Sequence, residues 1–416
     1  MRIDFGYGRG VQRVDIPDRN LLCMLESNPL KHERGGADAV EYALDDPIGL
    51  PRLEETVKPG QTVAIITSDV SRPVPSWEIL PSIVSRLNRA GIPDRDISVV
   101  FALGSHRRQT DLERRQLVGD ELYERLRCVD SDPDDCVRLG VTSQGTPVDI
   151  TRSVAQADYR IAVGNIEFHY FAGYSGGVKA LMPGVSTPQA IQQNHRMMVS
   201  PDACAGKLEG NPIRQDLEEA GRICGVDYIV NAVLDEHRHI IYAVAGDSVA
   251  AHREGCRYLD RMYRKHIPAR ADIVIVSQGG APKDANLYQT QKALDNAKHA
   301  VRDGGLVILI GECGEGMGSA KFEQWFKEAD TAHSLIERIG RDFQLGGHKA
   351  AAIAMVLEHA GIELVSAMSD ELVESLFMVP SRSAQASLDR ALERYGPEAT
   401  VIAMPFGGAT LPYTDD

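Results

Sequence analysis

Residues 62–103 read TVAIITSDVSRPVPSWEILPSIVSRLNRAGIPDRDISVVFAL, and this stretch decides what fold to expect. The apolar run at 62–67 predicts a buried strand that ends in a polar turn, and apolar residues then recur at helical spacing until Gly91. The run at 97–103 predicts a second buried strand. Two buried strands joined by a helix are typical of a parallel sheet with helices on its faces.

The same alternation extends over most of the chain. A third strand is predicted at 159–163 and a β-hairpin at 225–247. The alternation of strands and helices then starts again, with predicted strands at 271–277 and 306–311. The sequence therefore predicts an α/β protein with mostly parallel sheets.

The length of 416 residues predicts two domains, because single cores stop growing at about 250–300 residues. We expect an N-terminal α/β domain at 1–267 that binds the cofactor and is completed by 395–416. A C-terminal α/β domain is expected at 268–394, after a linker at 267–270. The active site is expected in a cleft between the two domains.

The composition narrows the classes of partner. The net charge of −14 disfavours binding to nucleic acid or to membrane surfaces, because these negatively charged partners repel an acidic protein. None of the seven cysteines lies in a Cys-x-x-Cys pair, so neither a disulfide framework nor a thiolate zinc site is expected. The N-terminus has no apolar signal core, and no run approaches the length of a spanning helix. We expect a cytoplasmic protein that acts on a small molecule.

Polar loops follow the predicted strands at the points where those strands end. Asp69 and Arg72 follow the first strand, His106 follows the second, and His169 follows the third. Because ligands of open parallel sheets bind beyond the carboxyl ends of the strands, we expect these loops to converge. Arg72 offers a planar fork that grips a carboxylate, and Pro73 stiffens its loop. An ordinary Asp–Arg surface turn is the competing interpretation.

Three histidines, His106, His169 and His195, stand in or near these loops. Imidazole transfers protons near neutral pH and is the usual nitrogen ligand of nickel, zinc or copper. A single histidine at a strand end is as often a hydrogen-bonded structural residue. The grouping of three favours a chemical role.

A glycine-rich loop at 172–184 separates the last two of these histidines. Ser175, Gly176 and Gly177 allow backbone N–H groups to approach a ligand closely, and Lys179 follows them. The loop is not a nucleotide triphosphatase motif, because Gly-Lys-Ser/Thr is absent. A lysine among glycines and apolar residues loses its proton readily and becomes a nucleophile or an attachment point. A flexible loop with a solvated lysine is the alternative.

A helix predicted to begin near Asn286 supplies a further group. Tyr288 and Gln289 lie in its first turn, and Lys292 shares a helix face with Gln289. Asp284 is expected to cap this helix. A solvated amphipathic helix is the alternative for these residues.

Together these motifs resemble those of the nickel-dependent lactate racemase family, also called nickel-pincer hydroxyacid racemases and epimerases. The matching stretches lie in the family's order over most of the chain, at 68–75, 104–107, 169–195, 284–292 and 345–349. Each stretch is weak alone, and the combination is specific.

The resemblance implies a cofactor and a role for each candidate. The cofactor is a nickel-pincer nucleotide (pyridinium-3-thioamide-5-thiocarboxylic acid mononucleotide), joined to a lysine that corresponds to Lys179. The nickel ligand corresponds to His195, and the acid/base pair corresponds to His106 and His169. The other matches are substrate contacts at Arg72, Gln289 and Lys292, and cofactor contacts at Asp69, Ser175, Gly176, Gly177 and Tyr288. Enzymes that make the cofactor are implied as partners.

The implied reaction is racemisation or epimerisation of a 2-hydroxy acid. One histidine takes the hydroxyl proton while hydride leaves C2, and hydride then returns to the other face of the keto acid. The sequence departs from the family around the expected pocket, with Arg108 near His106, Glu167 and Phe168 before His169, and Tyr174 in the loop. We therefore expect a substrate other than lactate, such as malate or a sugar acid, with Arg108 and Tyr174 as further substrate contacts.

Two other classes compete with this one. An NAD-dependent dehydrogenase would need a Gly-x-Gly-x-x-Gly turn after a strand, and a zinc hydrolase would need a compact His-x-x-x-His motif. Neither pattern is found. A sugar-acid or cofactor-binding protein without catalysis would be favoured by loss of Lys179, His106 or His169, and all three are present.

Overall fold

The computed structural model describes residues 1–28, 34–72, 74–235 and 237–415. Pro73, which was expected to stiffen the loop of Arg72, lies outside the described residues. The chain divides into two compact units, and each is considered by itself. The described residues of 30–261 form the continuous unit, and those of 1–29 and 262–416 form the split unit.

Strands run through the whole chain and are numbered in order. They are β1 (Arg2–Tyr7), β2 (Gly10–Asp15), β3 (Leu21–Met24), β4 (Val63–Ser68), β5 (Ile97–Ala102), β6 (Arg127–Asp130), β7 (Cys136–Val141), β8 (Pro147–Thr151), β9 (Tyr159–Asn165), β10 (Phe168–His169), β11 (Gly173–Tyr174), β12 (Tyr228–Leu234), β13 (Ile240–Gly246), β14 (Arg264–His266), β15 (Ala271–Ser277), β16 (Val301–Ile310), β17 (Gly361–Val365), β18 (Val379–Ser381), β19 (Val401–Met404) and β20 (Leu411–Tyr413). The predicted strands at 62–67, 97–103, 159–163, 271–277 and 306–311 correspond to β4, β5, β9, β15 and β16.

Helices occupy the connections between strands. They are α1 (Gly36–Asp45), α2 (Leu53–Thr56), α3 (Ser76–Arg89), α4 (Asp111–Val118), α5 (Asp120–Arg125), α6 (Arg152–Ala155), α7 (Pro188–His195), α8 (Pro212–Cys224), α9 (Ala250–Tyr263), α10 (Leu287–Ala297), α11 (Ala320–Lys327), α12 (Ala332–Arg341), α13 (Gly347–Leu357), α14 (Asp370–Glu374) and α15 (Ala384–Tyr395). Short 3₁₀ turns span Asp94–Asp96, Gly177–Ala180 and Arg196–Val199. Among the described residues, no helix combines the length and the apolar character needed to cross a membrane.

The continuous unit is built on a six-stranded sheet of order β13-β12-β9-β4-β5-β6. Its strands are parallel except for β13, which pairs antiparallel with β12 and confirms the predicted hairpin. Ile65 pairs with Val99 on one side and Ile161 on the other, and all three side chains are fully buried. Burial of each such side chain stabilises the fold by about 1.5–3 kcal/mol. Burial on both faces explains why the central strands are mostly apolar in sequence.

The split unit has its own six-stranded sheet, of order β18-β17-β16-β15-β19-β3, and all its pairings are parallel. Strand β19 pairs with β15 on one side and β3 on the other. The segments 1–29 and 395–416 therefore contribute strands to this sheet, whereas we expected both in the N-terminal domain. The half-buried, four-residue β3 gives little sequence signal for this placement.

Candidate active site

The candidate site lies at the carboxyl edge of the sheet in the continuous unit. Strand β4 ends at Ser68, β5 ends at Ala102 and β9 ends at Asn165, and the three strands are parallel neighbours. Parallel neighbours end at the same edge of a sheet, so the loops after them share one face of the unit. This topology brings residues 69–72, 103–108 and 166–195 to the same edge.

Asp69 and His106 form a hydrogen-bonded pair across two of these loops. The Oδ2 atom of Asp69 lies 2.5 Å from Nδ1 of His106, and Ser71 Oγ lies 3.1 Å from the same nitrogen. The Asp69 side chain is 3% exposed, whereas the His106 ring is 31% exposed. The carboxylate therefore receives the proton of Nδ1, and Nε2 is the nitrogen left for proton transfer. Asp69, which we predicted as a cofactor contact, orients the ring of His106 through this bond.

The Asp69 carboxyl remains ionised in this setting. Burial by itself would raise its pKa, but bonds from His106 and Ser71 outweigh burial and hold the pKa below the ordinary value of 3.8. Ser71 contributes two of these bonds, from its backbone nitrogen at 2.8 Å and its hydroxyl at 2.5 Å. An ionised Asp69 stabilises the positive charge that His106 acquires when it takes a proton.

The Asp69→Asn variant is expected to lower the free energy of unfolding by about 1.5–3 kcal/mol at pH 7, because bonds to a charged acceptor are lost. The folded-state pKa of Asp69 lies below the value in the unfolded chain, so its contribution is complete above that unfolded value. The contribution is lost as the pH falls through the lowered pKa. Denaturant titrations from pH 7 to pH 3 should therefore show the wild-type and variant stabilities converging under acid conditions. A difference that grows with acid would contradict this assignment.

The buried ring of Phe171 lies between three of the predicted residues. The centroid of this ring is 4.5 Å from that of His169, 4.8 Å from that of His195 and 5.8 Å from Lys179 Nζ. The structure thus brings together the histidine from β10, the histidine that ends α7 and the lysine of the glycine-rich loop. Phe171 was not predicted, and its place two residues after His169 is the only sequence signal for it.

The electrostatics of this cluster favour uncharged nitrogen bases. Burial lowers the pKa of Lys179 well below its ordinary value, and the charges of Arg214 and Arg72 lower it further. Burial likewise lowers the pKa of His169, and the charge of Lys179 adds to this effect. Within the described ranges, no carboxylate forms an ion pair with Lys179. A lysine with a lowered pKa loses its proton more readily and becomes nucleophilic, which favours covalent attachment at Lys179.

Neighbouring residues of the same unit pack against the loop that carries Lys179. Gly176 and Gly177 have φ values of 75° and 61°, which favour glycine. A Cβ atom on Gly176 would lie 2.8 Å from Asn231 Oδ1, the atom that accepts a 2.6 Å bond from the backbone nitrogen of Gly177. His252 Nε2 donates to the carbonyl oxygen of Ser175 at 2.8 Å. These contacts hold the loop in one conformation, unlike the flexible loop considered as the alternative.

Arg214 on α8 holds the same loop, and the sequence gave no indication of it. Its Nε donates to the carbonyl oxygen of Ala172 at 3.2 Å, and its Nη2 donates to that of Tyr174. The side chain is fully buried, and burial lowers its pKa to about 10. Across the described residues, Nη1 of Arg214 has no hydrogen-bond partner. An unpaired buried donor is unfavourable unless a ligand completes it, and a buried cation suits an anionic ligand.

Three predicted substrate contacts in this unit differ in their surroundings. Arg72 is exposed, and no carboxylate of the described chain pairs with it. Arg108 is also exposed and bonds to Asp132 at 3.0 Å. Tyr174 is 1% exposed, and its hydroxyl donates to Asp260 at 2.6 Å. Tyr174 therefore packs inside the unit, which disagrees with its expected contact to substrate.

The predicted residues of the split unit lie on α10. Asn286 caps this helix by accepting a bond from the backbone nitrogen of Gln289 at 3.1 Å. Asp284, the expected cap, instead accepts bonds from the backbone nitrogens of Gly8 at 2.7 Å and Glu312 at 3.0 Å. These two bonds fix the loop before α10.

The exposed face of α10 carries polar groups. Gln289 and Lys292 are exposed, and Tyr288 is half-buried. The buried Lys349 places Nζ 4.0 Å from the centroid of the Tyr288 ring and donates to the Tyr288 carbonyl oxygen. Tyr288 is therefore held in place by Lys349, while the side chains of Gln289 and Lys292 are exposed.

The described residues contain no group of three or more histidine, cysteine, aspartate or glutamate side chains arranged to hold a metal ion. The fold and site define an α/β protein with a carboxylate-paired histidine at the sheet edge. A half-buried lysine with a lowered pKa packs with two further histidines around Phe171. This combination is typical of an enzyme active site.

Comparisons with known proteins agree with this class. The family model "Lactate racemase N-terminal domain" matches residues 7–206, and "Lactate racemase C-terminal domain" matches residues 267–411. The lactate racemase of Thermoanaerobacterium thermosaccharolyticum is 32% identical over 421 residues, covering 98% of each chain. That of Lactiplantibacillus plantarum is 32% identical, covering 97% of this chain and 98% of the other.

Solved structures give the same answer. The lactate racemase apoprotein from T. thermosaccharolyticum matches with a TM-score of 0.91 and 30% identity, covering 99% of this chain and 100% of that chain. A Thermotoga maritima protein at 16% identity shares the fold, with a TM-score of 0.64 and coverage of 94% of this chain and 100% of that chain. The chain belongs to the nickel-dependent lactate racemase family, a family of isomerases whose cofactor is the nickel-pincer nucleotide.

Proposed function

We propose that this protein racemises or epimerises a 2-hydroxy acid, with His106 and His169 as the acid/base pair. The observation that carries the proposal is the contrast between the two rings. His106 bonds to an ionised carboxylate, and the half-buried His169 lies beside Phe171 with its pKa well below the ordinary value. In the hydride mechanism, one histidine accepts the hydroxyl proton of one enantiomer, and the other histidine returns a proton to the oxygen as the mirror image forms. Two imidazoles, one oriented by a carboxylate and one with a lowered pKa, suit these two tasks.

The substrate carboxylate is proposed to bind Arg72. This guanidinium projects from the loop that also holds Asp69, and its charge contributes to the lowered pKa values of both His169 and Lys179. Its charge is therefore near the reacting groups while it remains available for a bidentate contact. Gln289 and Lys292 are proposed as further contacts, since both are exposed on α10.

The residues present fit the family's cofactor in three respects. Burial lowers the pKa of Lys179, which favours the deprotonated amine that forms a thioamide link. His195 supplies one imidazole, which a pincer of sulfur donors would complete as a nickel site. The unpaired Nη1 of Arg214 would be completed by an anionic group near the packed loop of Gly176. When bound, the cofactor supplies a reversible hydride acceptor, which no protein side chain offers. We propose that cofactor-making enzymes load the protein.

The alternatives explain less of the site. An NAD-dependent dehydrogenase does not need an uncharged lysine beside two histidines. A binding protein without catalysis does not need a carboxylate that orients a histidine with its Nε2 left for proton transfer. The carboxylate–histidine pair and the lysine with its lowered pKa are both features of catalytic sites.

The direct test uses holoprotein that has been co-expressed with the cofactor-making enzymes. The substrates are enantiopure lactate, malate and a sugar acid, each deuterated at C2. We expect at least one substrate to yield its mirror image or epimer with deuterium retained, because hydride returns from a carrier that does not exchange with water. Deuterium washed out into solvent would contradict hydride transfer. No conversion of any 2-hydroxy acid would contradict the proposed function.

The substrate is proposed to be larger than lactate, with a second carboxylate or extra hydroxyls near Arg108. Its bond to Asp132 joins exposed side chains, so exchanging that partner costs about 0–1 kcal/mol. Arg108→Ala is expected to lower kcat/KM for a dicarboxylic substrate about 10–100-fold, the loss of one charge-assisted bond, with little change for lactate. Arg107→Ala is the matched control, because Arg107 is exposed and pairs with Glu113. Equal activity of the Arg108 variant on every substrate would refute its role.

A further inference from the structure

A chain of buried hydrogen bonds ends at the imidazole of His195. The Oδ1 atom of Asn194 lies 2.8 Å from His195 Nδ1, and the Asn194 amide nitrogen donates to Asp216 Oδ2 at 2.7 Å. Asp216 also accepts bonds from Thr142 Oγ1 at 2.5 Å and Thr146 Oγ1 at 2.7 Å. Asn194 and Thr146 are 0% exposed, Asp216 is 1% exposed and Thr142 is 4% exposed. The whole chain is therefore shielded from water.

Three elements of the continuous unit supply this chain. Asn194 and His195 are the last residues of α7, and Asp216 lies in the second turn of α8. The two threonines bound the turn between β7 and β8, where the backbone nitrogen of Thr142 donates to the Thr146 carbonyl at 2.9 Å. Because each element is packed into the unit, the amide of Asn194 has little freedom to rotate.

The order of donors and acceptors fixes the direction of every bond. The Asn194 amide nitrogen also donates to the backbone carbonyl oxygen of Ile213 at 3.3 Å. A backbone carbonyl only accepts, so the NH₂ group of Asn194 faces Ile213 and Asp216, and its own carbonyl oxygen faces His195. That oxygen also only accepts, so Nδ1 of His195 must carry the proton. In a neutral imidazole the other nitrogen then holds the lone pair. The chain therefore specifies which nitrogen of His195 can bind a metal ion.

We propose that Asn194, held by Asp216, is a positioning residue that fixes His195 in the tautomer whose Nε2 lone pair binds nickel. The proposal rests on the proposed role of His195 as the nickel ligand. Ligands of metal ions commonly donate their other ring nitrogen to an oxygen acceptor, which fixes the ring and its tautomer. For His195 the acceptor is the side-chain amide oxygen of Asn194. The buried carboxylate of Asp216 bonds to that amide and not to the ring.

His169 provides an internal comparison in the same cluster. The backbone nitrogen of Ala172 donates to His169 Nδ1 at 3.3 Å, so a neutral His169 carries its proton on Nε2. Both rings pack against Phe171, and they are expected to be opposite tautomers. Hydrogen-bond partners, and not burial, account for this difference.

The tautomers are measured on full-length apoprotein labelled with ¹⁵N-histidine, by long-range ¹H–¹⁵N correlation spectra, with His195 assigned from a His195→Gln variant. We expect wild-type His195 to carry its proton on Nδ1 and His169 to carry its proton on Nε2. A proton on Nε2 of wild-type His195 would overturn the proposal. This measurement needs no nickel and no variant of the buried chain.

Asn194→Ala then tests the cause, with Gln193→Ala as the matched control. Gln193 is the preceding amide on α7, and its Nε2 bonds to the carbonyl oxygen of Gln144 at 3.0 Å instead of a histidine. The Asn194 variant should shift His195 towards the Nε2–H tautomer and weaken nickel retention of loaded protein about 10–100-fold in a chelator challenge. The control should change neither property. An unchanged His195 tautomer in a folded Asn194 variant would overturn the proposal.

The two readouts separate this inference from the proposed function. If the tautomers are as expected but loaded protein holds no nickel, the proposed function fails and the tautomer assignment stands. If nickel is held but His195 is the Nε2–H tautomer in the apoprotein, the inference fails and the proposed function stands. Asp216→Asn gives a milder variant, because it keeps the size of the side chain while removing the charge that orients Asn194.

Discussion

Replacement of His106 or His169 with glutamine is expected to lower racemisation by about 10²–10⁴-fold, because each variant loses one proton-transfer group. Glutamine keeps a polar side chain of similar reach but does not exchange a proton near neutral pH. Both histidines are needed, since one accepts the hydroxyl proton of one enantiomer and the other returns a proton to the keto oxygen as the mirror image forms. The measurement is the rate of appearance of each enantiomer, starting from the opposite one, with protein of verified cofactor content.

The equal free energies of two enantiomers place a further constraint on the rates expected for these variants. The enantiomers of a substrate with one stereocentre have equal free energies, so kcat/KM must be equal in the two directions for wild type and for every variant. Loss of either histidine must therefore slow both directions by the same factor. His237→Gln is the control, because His237 is exposed on a hairpin turn of the same unit. A His106 or His169 variant with near wild-type activity would contradict the assignment of the acid/base pair.

Replacement of Lys179 with methionine is expected to abolish racemisation, because the attachment point of the cofactor is removed. Methionine has a similar length and needs no hydration, so it should preserve the packing beside Phe171. Loss of a buried amine whose pKa is already lowered removes a desolvated polar group, so the melting temperature should not fall. Lys207→Met is the control, since that lysine is an exposed partner of Asp202. Residual activity in the Lys179 variant above that of unloaded protein would contradict a covalent role.

The sheet and the convergence of loops could be predicted from the sequence. Strands β4, β5 and β9 are mostly buried, so they appear as largely apolar runs, interrupted only near the start of β5 by Ser98 and of β9 by Arg160. Because parallel strands end at one edge, the loops holding Asp69 and His106 were expected to meet. Their 2.5 Å contact shows that side chains 37 residues apart do come together.

Contacts that depend on tertiary packing could not be predicted. Arg214 is one polar residue on an amphipathic helix, and no local pattern shows that it bonds to carbonyl groups 40 and 42 residues earlier. Tyr174 was placed near substrate because of its position in the loop, but its partner Asp260 is 86 residues away. We assigned the terminal segments to the wrong unit, because a parallel strand pairs with a strand that is far away in the sequence. Spacing along the chain does not show which distant strand is its partner.

The most direct test of the account is the intact mass of the protein after co-expression with the cofactor-making enzymes, combined with its nickel content. The account predicts a wild-type mass above that of the bare chain, with bound nickel, and a Lys179→Met mass equal to that of its own bare chain. A wild-type mass equal to the bare chain, without nickel, would contradict the claim that Lys179 carries the cofactor and His195 binds its metal.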